Sequence, residues 1–132
     1  TRRAYMPELW YSSPDFPGRV EQVWFRGTHG DVGGHLNGFE PARPLANISL
    51  VWMLEHAEAC ELPLPATWRT RFHTDPDAPS HGTWRGWGKI FMLRSARVVG
   101  RDPSESIHHT VRPEALRRGP SVSPRLRPDA AE

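Results

Sequence analysis

Apolar residues gather in a few stretches of this chain, and their spacing sets the expected elements. Residues 20–25 (VEQVWF) place Val20, Val23, Trp24 and Phe25 between Gly18 and Gly27. That density of β-branched and aromatic side chains predicts a strand, and its unbroken apolar second half predicts burial on both faces. Residues 45–59 (LANISLVWMLEHAEA) repeat at helical spacing through Leu45, Ile48, Val51 and Trp52, then His56 and Ala59. Leu50, Met53, Leu54 and Ala57 cover the neighbouring face, so the first turns of this helix are expected to be packed nearly all round. Pro44 precedes the helix, and Pro63 and Pro65 stop it. Between strand and helix, residues 27–38 hold five glycines in twelve positions, a loop whose backbone approaches something closely or takes positive φ. Strand, glycine loop and buried helix form one βα unit, which predicts an α/β class.

The remainder is less periodic. Residues 1–19 read as an approach segment with apolar Ala4, Tyr5, Met6, Leu9 and Trp10, ending in the turn cluster SSPDFPG. Residues 68–72 predict a short helical turn and residues 74–82 a loop that includes His81. Residues 84–93 (WRGWGKIFML) are an apolar run, and residues 94–99 continue as a strand or a short helix. Residues 106–111 (SIHHTV) are expected to open a last helix reaching Leu116. The chain divides into a portion of one domain over residues 1–116 and a Pro- and Arg-rich disordered tail over residues 117–132. With one strong strand, nothing within the chain is expected to pair with it, so its edge would invite association and leave the isolated chain marginally stable.

Composition narrows the classes. Hydrophobic residues make up 37% of the chain, with 14 prolines and 11 glycines, so a modest core carries many loops. Lys plus Arg total 17 against 15 Asp plus Glu, a formal net charge of +2. Only Lys89 is a lysine, so the basic balance reflects arginine usage, as in a GC-rich genome. The arginine-rich tail is diluted by acids and lacks interleaved aromatics, and no nucleic-acid partner is expected. No apolar run approaches the ~18 residues of a membrane span. No apolar segment follows Arg2 and Arg3 as in a signal peptide, and Thr1 is no start residue, so the chain reads as a piece of a longer protein. The single Cys60 allows no internal disulfide and suits a reducing cytoplasm. It closes an apolar helix with no activating base beside it, so it is expected to be buried and inert.

The candidate chemistry lies in the glycine loop. A Ser-His-Asp hydrolase needs a histidine that takes the nucleophile's proton and passes it to the leaving group. In the α/β-hydrolase order Ser, acid, His, that histidine follows the final strand. His29 stands in that place, flanked by Gly27 and Gly30. The residues alone leave three readings open: a turn residue, a catalytic base, or a metal ligand together with Asp31 and His35. Asp31 is expected to hold the loop by an Asx-type bond to backbone N–H groups, with Gly33 and Gly34 shaping it. His108 and His109 are alternative reactive histidines, with a structural or substrate-lip role preferred because no strong strand precedes them. Trp84 and Trp87 are assigned to the core edge. The alternative is a lipid anchor beside Arg85, Lys89, Arg94 and Arg97.

The runs TRRAYMPELW, VEQVWFRGTHGDVGG and LANISLVWMLEHA resemble the C-terminal part of a bacterial α/β-hydrolase family long catalogued as a domain of unknown function. That family includes the phospholipase effectors of type VI secretion. Its hallmark is a strand, then Trp-Phe-x-Gly-x-His-x-Asp-Val-Gly-Gly, then a helix with a Trp-Met pair, here Trp52 and Met53; SIHHTV is similar to a later family feature. The resemblance implies a partial α/β-hydrolase fold, made of the last core strand, the catalytic-histidine loop, a packing helix and a loop-rich flank. It implies His29 as the catalytic histidine, a carboxylic or lipid ester substrate, and no cofactor or metal. Peripheral membrane contact and export by a signal-peptide-independent route also follow from it. The chain departs from the family at His35-Leu36, where a third glycine and an aromatic are usual. It also lacks any G-x-S-x-G, so the serine, oxyanion donors and acid are expected upstream of Thr1. The alternative is an inactive remnant or interaction module that kept the βα unit.

Overall fold

The computed structural model describes residues 8–82, 98–117 and 121–122. Two compact units divide the chain: Arg26–Lys89, and Thr1–Phe25 with Ile90–Glu132. The division falls between Phe25 and Arg26, so the strand and the histidine loop, expected as one βα unit, belong to separate units.

In the unit that begins at Arg26, a short helix α1 (His29–Gly33) and a 3₁₀ turn (Glu40–Ala42) lead into the long helix α2 (Arg43–Ala59). Pro44 lies in the first turn of α2, where its missing N–H costs nothing and its fixed φ suits the helix. Leu45 to Ser49 are buried, and Leu36, Ala42 and Ala46 form a small core against which Phe39 packs. The expectation of all-round packing is corrected on one face: Leu50 and Met53 are exposed. Polar bonds supplement this thin core. The Ser49 hydroxyl donates to the Val32 carbonyl at 2.7 Å, which ties α2 to α1. Asn47 Nδ2 donates to the His73 carbonyl at 2.8 Å.

The C-terminus of α2 closes in a Schellman arrangement. Leu62 N–H donates to the Ala57 carbonyl and Glu61 N–H to the Glu58 carbonyl, with Glu61 at φ +62°. This turn carries Cys60 outward; the cysteine is exposed, a correction to its expected burial. The expected turn after the prolines is the helix α3 (Trp68–Arg71). Trp68 is buried, and its indole N–H donates to Glu58, which also pairs with Arg69.

In the other unit, β1 (Gln22–Trp24) pairs in parallel with β3 (Glu105–Ile107), setting Gln22 against Glu105 and Trp24 against Ile107. Several expectations are corrected here. The strand has a partner within the chain and, with β3 following it, is not the last strand. All three β1 residues are half-buried, not enclosed on both faces. Ser106 and Ile107 lie in a strand where a helix was expected, and the helix α4 begins only at Pro113 (Pro113–Arg117). A second parallel pair joins β2 (Val98–Val99) to β4 (Ser121–Val122), placing two residues of the expected tail in a strand. Gln22 anchors the approach segment by exchanging hydrogen bonds with the Trp10 backbone at 2.8 and 2.9 Å, while the Trp10 and Tyr11 side chains face solvent.

Short helices and short parallel strands are compatible with a partial α/β architecture. No helix among the described residues is long and apolar enough to cross a membrane. Residues 1–7, and the stretch with Trp84, Trp87, Arg85, Lys89, Arg94 and Arg97, lie outside the described residues.

Candidate functional site

The glycine loop is built around one carboxylate. Arg26 enters it half-buried, and its Nη1 donates to the carbonyls of Pro76 and Ala78 at 3.0 and 2.9 Å. Gly27 follows at φ +123°, where a Cβ would stand 2.6 Å from the Asp31 Cβ, so no other residue fits. Thr28, extended, is the N-cap of α1, and the turn closes by the bond from Val32 N–H to the Thr28 carbonyl. Asp31, at the third helical position, reaches back to accept the Thr28 N–H at 2.7 Å and its hydroxyl at 2.8 Å. An acidic side chain bonding the N-cap N–H is one half of a capping box, here made by Asp in place of the usual Glu.

Asp31 is only 1% exposed, and two further donors reach it from fifty residues downstream. Ser80 Oγ donates to Oδ2 and His81 N–H to Oδ1, both at 2.6 Å. Burial raises the Asp31 carboxyl more than any one bond lowers it. Together, Ser80, the N–H groups of Thr28 and His81, and the Thr28 hydroxyl outweigh burial and hold the carboxyl below its ordinary value. Such a group is a satisfied internal anion, and none of the four bonds goes to His29.

His29 occupies the first position of α1, exposed to solvent. Gly30 beside it is tightly approached: a Cβ there would meet the His35 carbonyl at 2.8 Å. Gly34 caps the helix at φ +74°, and its carbonyl accepts from Arg43 Nη1 at 3.0 Å. Gly33 has open space around it, and nothing in the structure there requires glycine. His29 and His35 are exposed while the Asp31 carboxylate turns inward, so these three side chains are not brought together as a metal set. No group of three potential ligands occurs among the described residues.

Sequence reasoning missed Ser80 and His81 as part of this loop. His81 was expected only as a loop residue; it is buried, its ring edge-on to Phe39 at 6.4 Å. The Asp-Ala-Pro-Ser turn before them carried no signal of a distant carboxylate. His108 and His109 belong to the other unit. His108 directly follows β3, its N–H donating to the Trp24 carbonyl, so a strand does precede it. Its ring lies against Phe25 at 4.7 Å and His109 at 4.2 Å, and its Nδ1 is 2.8 Å from the Thr110 hydroxyl.

Residues 1–56 match the family model described as the T6SS phospholipase effector Tle1-like catalytic domain. The matched span contains β1, the whole of α1 with His29 and Asp31, and most of α2. No curated protein and no solved structure matches the chain.

Proposed function

We propose that this chain supplies the triad histidine of a serine hydrolase acting on carboxylic esters of phospholipids or related lipids. One observation carries the reading: the match to a phospholipase catalytic domain encloses VWFRGTHGDVGG, with His29 at its centre. His29 accepts the serine proton as the hydroxyl attacks the ester carbonyl, then gives it to the departing alcohol; water reverses the sequence on the acyl-enzyme. An exposed imidazole ring at the start of α1 is placed to meet such partners. The serine, the oxyanion donors and the triad acid lie in this reading upstream of Thr1, because residues 1–132 contain no G-x-S-x-G. Asp31 is not the triad acid, since its oxygens are taken by Thr28, Ser80 and His81. Delivery by type VI secretion, without a signal peptide, belongs to the same reading.

The test uses the protein that carries this chain together with its upstream sequence. His29→Ala should lower kcat for a phospholipid or short-chain ester by about 10³-fold or more, as triad losses do. Activity retained within about tenfold of the unaltered protein would overturn the assignment and favour a non-catalytic module.

A further inference from the structure

Outside the histidine itself, the glycine loop is tied to a segment fifty residues downstream. Residues 80–82 form no helix or strand, yet Ser80 and His81 both bond a carboxylate on α1. Ser80 Oγ also accepts the Gly82 N–H at 3.1 Å, so one hydroxyl holds its own turn and Asp31 at once. Asp31 in turn bonds Thr28, the residue immediately before His29. Arg26 grips the same downstream segment at Pro76 and Ala78. The backbone on the N-terminal side of His29 is thereby fastened twice to residues 76–81. A helix of five residues does not sustain itself, because nucleating a turn fixes several dihedrals for few bonds.

We propose that Asp31 and Ser80 are positioning residues for His29, holding the first turn of α1 on the 80–81 segment so that the imidazole keeps one place. This rests on His29 being the catalytic base. The carboxylate does not polarise the imidazole; it acts through the Thr28 backbone. Placement matters because a displacement of ~1 Å of a reacting group costs on the order of 10²-fold in rate.

Two measurements test this. In the protein with its upstream sequence, Ser80→Ala should lower kcat about tenfold and Asp31→Asn about 100-fold, with KM changed less than about twofold. Ser80→Thr, which keeps the hydroxyl, should restore kcat to within about threefold. Glu105→Gln, a buried carboxylate change in the other unit, should lower stability while leaving kcat within about twofold. Unchanged kcat in folded Asp31→Asn and Ser80→Ala, alongside loss of activity in His29→Ala, would overturn the positioning role and leave the catalytic reading standing. The second measurement needs no activity. In NMR of the 132-residue chain, Asp31→Asn should remove the helical Cα shifts of residues 29–33 and speed amide exchange at Thr28 and His81 by about tenfold or more. Helical shifts and slow exchange that survive Asp31→Asn would overturn the proposal even if His29 proved non-catalytic.

Discussion

Each unit of this protein is organised by a buried carboxylate, and the two do different work. Asp31 collects donors from both ends of a fifty-residue excursion, Thr28 on one side and Ser80 with His81 on the other. Glu105, 2% exposed, accepts from the N–H groups of Gly100 and Asp102 at 3.0 and 2.8 Å and from the Trp24 indole at 2.7 Å. Glu105 thus reinforces a turn and a strand pair that already share backbone bonds, with Gln22 N–H donating to the Ser104 carbonyl and His108 N–H to the Trp24 carbonyl. Asp31 joins two segments that no ladder joins. A small apolar core leaves such polar ties with a larger share of the specificity, because an unmet buried donor or acceptor costs more than a met one contributes.

The sharpest way to break the symmetry is to alter each carboxylate. Asp31→Ala strands four donors and should cost about 3–5 kcal/mol, whereas Glu105→Gln keeps one acceptor oxygen and should cost about 1–3 kcal/mol, both read by urea unfolding. Equal losses would refute the distinction. Acid should weaken both units. Asp31, Glu105 and Asp102 all titrate below their ordinary values when folded; at Glu105 burial is the largest influence and raises it, but backbone bonds from Asp102, Gly100 and Arg101 and the Trp24 indole together outweigh it. For Asp102, bonds from the Ser104 hydroxyl and N–H lead, so it is held far down. A depressed folded value contributes stability that is fully present above the ordinary carboxylate range and is lost as pH falls through the folded values. The urea midpoint should therefore stay level from pH 7 to about 5 and drop steadily below about pH 4; a midpoint that rises on acidification would contradict the shifts. Smaller again, Trp24→Phe deletes one donor to Glu105 and should cost about 1–2 kcal/mol in thermal unfolding while leaving α1 intact. At the other end of the scale, Glu61→Gly relieves a left-handed non-glycine cap and should raise stability by about 0.5–1 kcal/mol, seen as a higher Tm.

The helix α2 was legible because six periodic positions over residues 45–59 and the flanking prolines agree on one answer. The turn at Trp68 and the loop over residues 74–82 were legible for the same local reasons. β3 was not: Glu105, Ser106 and Ile107 have no strand pattern of their own, and become a strand only against β1, some eighty residues away. Cys60 looked buried because it ends an apolar helix, yet the Schellman turn rotates it outward. Leu50 and Met53 looked packed because apolarity reports what could be buried and not what is.

Of the histidine loop, local chemistry alone determined the requirement for glycine at positions of close approach and the polar grip of Asp31 on the chain beside it. His29 was marked by its neighbours in sequence. What only the tertiary structure decided is where the other donors to Asp31 come from and which strand β1 meets. Both are contacts between distant segments, selected by closure of long loops and by the cost of leaving buried polar groups unmet. Those terms belong to the folded chain as a whole and leave no periodic trace along it.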